Sequence, residues 1–274
     1  MRDQMATRMA RRTSAVLGGT SGRVEGGMRT TGRARRRGKA KGGAALRRDA
    51  GPVDERPSYE ELDTNPINAL FFRLFMEKLE ERVGFSSALP GYDGLIEVVR
   101  TLNVGSKSSE EIRALSKLVL LSLFPPWLPP AFRVMFAKPF PELSYLMNAW
   151  VTSLCCEWLM GPTTLNEVEL EEGGRKVPGV LVERCRYLEE VGCASACMNS
   201  CKFPTQEFFK QDMGLDVTLE PNYDDFSCQF VFGKEAPPLE EDEACATLCF
   251  KQCTFPKAGK LREGLCPSQY RDEN

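Results

Sequence analysis

Six of the eleven cysteines stand in two copies of one spacing, Cys193, Cys197, Cys201 and Cys245, Cys249, Cys253. The surrounding text repeats too, CASACMNSCKFP against CATLCFKQCTFP, offset by 52 residues, and both copies trail into Phe-Pro. Such an internal duplication is a specific signal. Steps of four residues along a helix turn by about 40°, which puts the three sulfurs of one copy on one face, spread over about 12 Å. Metal to sulfur bonds are about 2.3 Å long, so three thiolates of one straight helix cannot share one small ion. Neighbouring pairs from two facing helices can supply four ligands, enough for zinc or an iron-sulfur cluster. Two other readings stay open. Antiparallel helices would set Cys193 opposite Cys253, Cys197 opposite Cys249 and Cys201 opposite Cys245 as three disulfide rungs. The same thiols could also pack reduced. Cys185 and Cys228, each on a predicted strand, could complete or neighbour the site, while Cys155 and Cys156 read as core thiols of an apolar helix.

The chain contains no histidine. That excludes Ser-His-Asp and Cys-His catalysis, His-bound zinc, the facial-triad iron site and His-ligated haem. Any metal must be held by Cys, carboxylate, Tyr or backbone. Two carboxylates are candidate catalytic acids. Glu157 sits inside an apolar helix beside Trp158, and Asp225 follows Tyr223 and Asp224 in a turn just before Cys228, where turn chemistry is the plainer explanation. The acidic run Glu240 to Glu243 reads as the first turn of the second Cys helix, favourable to its dipole.

The elements that must position these groups form an α+β fold, a helical N-terminal lobe followed by a Cys-rich lobe of short strands and two duplicated Cys helices. Asn65 before Pro66 opens a helix whose apolar residues recur at helical spacing until Gly84 stops it. A short second helix runs from Gly91 to Leu102. Ser108 and Glu111 make a capping box for a third helix, Ser109 to Phe124. Leu118 to Pro162 is the most apolar part of the chain, but Pro125, Pro126, Pro129 and Pro130 break it before it can span a bilayer. A helix starting at Pro141 is apolar on more than one side. It reads either as a buried core helix or, with Trp127, Phe132, Phe136, Phe140, Trp150 and Trp158, as part of a lipophilic pocket or a surface that dips into a membrane. Strands are predicted at Val180 to Val182, Val217 to Leu219 and Phe226 to Phe232. Pro204 and Pro256 are expected to end the Cys helices.

Charge divides the chain differently. Residues 1–50 hold 14 Lys/Arg against 3 Asp/Glu and no aromatic residue, a net of +11, whereas the other 224 residues carry 22 basic and 35 acidic side chains, a net of −13. The Arg/Ser-rich, acid-poor N-terminus has the composition of a disordered organelle transit peptide, and the acidic remainder argues against nucleic acid as a partner. The expected organisation is a transit peptide over 1–50, a helical apolar lobe over 57–162, a Cys-rich metal-binding lobe over 163–258 and a tail over 259–274.

Four stretches resemble one known family: CCEWLMGP, VERCRYLEEVGCASACMNSCKFPTQEFF, LEPNYDDFSCQFVFGKEAPP and the second Cys triple. They look like the plastid β-carotene isomerases of strigolactone biosynthesis, the Dwarf twenty-seven type. The resemblance implies a chloroplast enzyme that contains iron and interconverts all-trans and 9-cis β-carotene or a related carotenoid. It also implies a carotenoid substrate drawn from a membrane surface and carotenoid cleavage enzymes downstream. With no His available, that iron would be Cys-ligated, an iron-sulfur cluster before a mononuclear centre, with the two Cys triples as its metal ligands.

Overall fold

The computed structural model describes residues 57–104, 108–171 and 173–246; the predicted transit peptide, Cys249, Cys253, Cys266, Pro256 and the predicted tail lie outside the described residues. A short helix α1 (Glu60–Thr64) leads into α2 (Pro66–Val83), where the Asn65 side chain accepts from the backbone N–H of Ile67 and Asn68 and Pro66 takes the first helical position. Gly84 ends α2 at φ 81°, a left-handed value that glycine adopts without strain. Helices α3 (Gly91–Val104) and α4 (Ser109–Ser122) follow. The capping box at α4 is complete: the Ser108 hydroxyl accepts from Glu111 N, and Ser108 N donates to the Glu111 carboxylate at 2.7 Å.

The proline-rich segment leaves the helix after Ser122, turns through Pro125 and Pro126, and becomes helical again at Leu128. Helix α5 (Leu128–Phe132) carries Pro129 and Pro130 in its first turn, where no N–H is required, and widens into a π turn, Arg133–Ala137. Pro141 then opens α6 (Pro141–Met160). Among the described residues no helix is long and apolar enough to cross a membrane.

Four strands make one antiparallel sheet in the order β1-β2-β4-β3: β1 (Thr163–Glu169), β2 (Lys176–Val182), β3 (Val217–Pro221) and β4 (Cys228–Phe232). The three predicted strands are present, and β1 is an addition that its polar sequence did not announce. Across the middle strand, Asn166 and Gln229 exchange side-chain hydrogen bonds at 2.8 and 3.1 Å. Gly179 lies beneath them, and a Cβ there would come within 2.5 Å of the Asn166 amide oxygen, so glycine is the residue this bridge admits.

The segment between β2 and β3 is helical: α7 (Arg186–Val191), α8 (Ala194–Cys197), a π turn Met198–Lys202, α9 (Phe203–Glu207) and a second π turn Phe208–Met213. Pro204 does not end the first Cys helix as expected. Within a π turn one carbonyl already lacks its usual partner, so the missing proline N–H costs little and the helix runs on to Met213. The second correction concerns Glu240 to Glu243: most of the second Cys helix they were expected to open lies outside the described residues, and they are themselves not a regular α-helical turn. They form two 3₁₀ turns, Leu239–Glu241 and Glu243–Ala246, with Asp242 between them.

Helix α6 packs on β1, β2 and β4, and one apolar core joins Leu95 and Val98 of α3 to Val180, Leu188, Val217 and Phe232. The residues before and after Pro162 therefore share a core, and the thiols are held against it.

Candidate functional site

Cys197 and Cys201 of the first triple lie near Cys185, Cys228 and Cys156, and Cys185, expected on a strand, instead follows the end of β2. Cys185 caps α7, with its sulfur accepting from Leu188 N at 3.5 Å. Cys193 caps α8 and Cys197 closes it, while Cys201 stands in the π turn. Cys228 opens β4. Phe226, two residues earlier, is the non-glycine residue with positive φ (63°), and its carbonyl accepts from Cys185 N at 2.7 Å. Strain of this kind persists where the surroundings over-determine it, here because the turn must deliver Cys228 next to α7.

Burial is the first cause raising the Cys201 thiol above its ordinary range, with Cys197, Cys185 and Cys156 adding to it. Cys228 is raised by burial and then by Cys185, Cys197 and Cys201, against a lowering influence of Lys202. Burial likewise pushes Cys185 up to about 11 and Cys197 and Cys156 up to about 12. The site is thus a dry cluster of protonated thiols at neutral pH. The Tyr223 hydroxyl lies enclosed close to Cys197, and burial raises its pKa.

A buried ion pair ties this cluster to the second Cys copy. Lys202 Nζ meets Asp242 Oδ1 at 2.6 Å, both side chains almost fully enclosed, and the same oxygen accepts from Ala244 N at 2.9 Å. Asp242 so pins the turn leading into Cys245, whose thiol donates to the Leu239 carbonyl at 3.1 Å. Neither member of this pair was singled out from the sequence. A lysine flanked by Cys and Phe, matched to one carboxylate in an acidic run, was the available signal.

The eight described cysteines are all free, so the Cys201 to Cys245 rung of the disulfide reading is not formed. The partners in the other two rungs, Cys253 and Cys249, lie outside the described residues. Thiols of this softness suit iron or zinc. However, among the described residues no three Cys, Asp or Glu side chains converge closely enough to grip a metal ion. The carboxylates stand apart in character. Glu157 is half-buried near the end of α6 and accepts from Thr163 N at 3.4 Å. Asp225 is exposed, and its carboxylate accepts from Ser227 N at 2.8 Å, which is turn chemistry.

Of the six aromatic residues expected to line a pocket or meet a membrane, Trp158 is buried against Phe72 and Phe75, at ring distances of 5.7 and 5.2 Å. Trp127, Phe140 and Trp150 are exposed. A separate open cleft of about 650 Å³ is walled by Leu118, Leu121, Phe124, Pro126, Pro129 and Pro130, and none of those six aromatics lines it.

The thiol-bearing part of this α+β fold lies largely within the stretch that a family model matches. Residues 158–241 match the C-terminal region of the β-carotene isomerase D27-like family. The chloroplastic β-carotene isomerase D27 of Medicago truncatula is 31% identical over 193 residues, covering 70% of this chain and 75% of that protein. The Arabidopsis thaliana protein of the same name is 31% identical over 189 residues, covering 66% and 68%. The chain belongs to this enzyme family, and its place, like that of those relatives, is the chloroplast.

Proposed function

We propose that the chain isomerises a carotenoid, interconverting all-trans and 9-cis β-carotene or a closely related polyene. The observation that carries this is the coincidence of the family match over 158–241 with the segment that gathers Cys185, Cys197, Cys201 and Cys228. A polyene offers no polar handle, so recognition must rest on apolar contact; the apolar wall of the open cleft, Leu118, Leu121, Phe124 and the prolines, offers some, although Lys78, Glu81, Arg82, Arg133 and Asp212 line the rest of it. Rotation about one double bond requires its bond order to fall transiently, through a radical or cation spread along the chain. Product and substrate are isomers, so no net oxidant or reductant is consumed. The protein's part is to hold the polyene still and to keep water away from the reacting bond. Glu157, half-buried, is the better placed of the two carboxylates to protonate an intermediate; Asp225 faces water.

Iron held by the cysteine triples, as an iron-sulfur cluster, is the finer part of this proposal. Among the described residues the thiols do not close such a site. A membrane as the source of substrate and carotenoid cleavage enzymes as consumers of product complete the proposal. The test is an anaerobically purified sample divided between iron and sulfide analysis and a chromatogram of all-trans and 9-cis β-carotene. Isomerisation lost when all six repeated cysteines become Ser is the expected result. Bound pigment with an unchanged isomer ratio would leave a carotenoid-binding protein instead. Activity without iron, intact in the six-Ser variant, would overturn the iron assignment.

A further inference from the structure

Helix α6 buries Trp158 and Met160 near its end, but over its first four turns one side is both apolar and exposed. Its exposed positions Leu143, Leu146, Trp150 and Leu154 recur at i, i+3, i+7 and i+11, a single stripe about 16 Å long. Trp150 is 61% and Leu154 70% exposed, whereas Ser144, Asn148 and Ala149 are buried on the opposite side. Those two polar residues need no outside partner, because the Ser144 hydroxyl donates to Phe140 O at 2.9 Å and the Asn148 amide to Ser144 O at 2.8 Å. A helix whose large apolar residues face outward is stable only if something apolar meets them.

We infer that this stripe docks the enzyme onto the surface of a lipid bilayer that carries anionic headgroups. Charge favours that occupant. The chain beyond residue 50 has a net charge of −13, yet from Leu118 to Cys156 the charged residues are Arg133, Lys138 and Glu142, a net of +1. Glu142 is further offset by Arg175 at 3.0 Å. Exposed Lys138 and the exposed pair Val134 and Met135 adjoin Phe140 at the start of the stripe. Basic residues beside exposed apolar and tryptophan side chains make up the composition that settles in a bilayer interface. The strongly acidic remainder is repelled by the same headgroups and is thereby kept on the water side. Two such chains would repel each other, which disfavours a second copy as the occupant. No described helix can cross the bilayer, so the contact is superficial. The inference rests in part on the proposed function, since a hydrocarbon substrate resides in lipid.

The experiment is flotation of the full chain with carotenoid-free vesicles of phosphatidylcholine and phosphatidylglycerol, comparing the wild type with a Leu146→Glu, Leu154→Glu variant. The expected result is that the wild type floats and the variant's partitioning falls roughly tenfold or more. Both residues are exposed, so unchanged circular dichroism and melting separate lost docking from lost folding. Lys138→Glu should weaken flotation on anionic vesicles and leave it unchanged on phosphatidylcholine alone. Equal flotation of wild type and double variant would overturn the proposal. So would a wild type that ignores vesicles but forms dimers, seen by light scattering, that the double variant abolishes. Isomerisation assayed in detergent keeps the two readings apart: a chain that floats yet never isomerises refutes the proposed function and leaves the docking intact.

Discussion

Helix α6 and the helical run from Ala194 to Met213 both space their notable side chains three or four residues apart, yet one turns them outward and the other inward. In α6 the backbone is regular from Pro141 to Met160, and Leu143, Leu146, Trp150 and Leu154 are left to solvent while Trp158 and Met160 near its end are buried. In the other run the backbone twice widens into π turns, and thiols, Tyr223 and a lysine are drawn into the interior. A regular helix keeps its stripe continuous, which serves a flat surface. A π turn breaks the stripe and re-aims one residue, Cys201, toward groups from two other elements. The difference teaches that four-residue spacing specifies a face; the surroundings decide whether that face is a site or a surface.

The comparison breaks most severely in alkali. Burial raises Cys185 to about 11 and Cys156 and Cys197 to about 12, from an ordinary value of 9.0. Because the folded state holds these protons more tightly, their contribution to stability is complete below pH 9. It is lost as pH rises toward 12, when the unfolded chain alone ionises. Urea midpoints should fall steeply from pH 9 upward, and a Cys156→Ala, Cys185→Ala variant should show a shallower fall. The outward stripe, made of Leu and Trp, should keep its vesicle binding unchanged up to pH 9.

Next in size is the buried ion pair. Lys202→Ala leaves the Asp242 carboxylate enclosed without its cation, a loss of about 3–5 kcal/mol in urea denaturation. A Lys202→Met, Asp242→Leu double variant should recover most of it, because removing both charges removes the desolvation cost as well. If the double variant is as unstable as the single, the pair holds the second Cys copy by geometry rather than by charge.

How far all this could be read from the sequence depended on whether the deciding interaction was local. Asn65 with Pro66, Gly84, and Ser108 with Glu111 mark helix ends through contacts within four residues, and each stands where expected. Strand β1 was missed because TTLNEVE alternates weakly and is held as a strand by its pairing with β2, in pairs such as Leu165 with Val180. Pro204 looked like a stop because the π turn that tolerates it is a tertiary outcome. The clustering of Cys185 and Cys228 beside the first triple was anticipated. The burial of Lys202 and Asp242 was not, since each charge becomes acceptable inside only when the other arrives from forty residues away. The exposed Trp127, Phe140 and Trp150 were legible as one of two readings of an apolar helix, and solvent exposure separates them from buried Trp158.

The smallest expected effects test the two sides of α6 against each other. Ser144 is fully enclosed, so Ser144→Leu must push neighbours apart and should cost about 1–3 kcal/mol while leaving vesicle flotation of the folded fraction unaltered. Leu146→Ser makes the reverse exchange on the exposed side. It should cost less than Ser144→Leu, no more than about 1 kcal/mol, because that leucine is already 47% exposed, yet it should measurably weaken flotation. Polarity and stability then run opposite to their usual order along one helix: adding an apolar side chain inward destabilises, and removing one outward costs less until lipid is present. If Leu146→Ser instead costs as much as Ser144→Leu, the stripe is already covered by protein in solution, and its outward exposure is not what the bilayer meets.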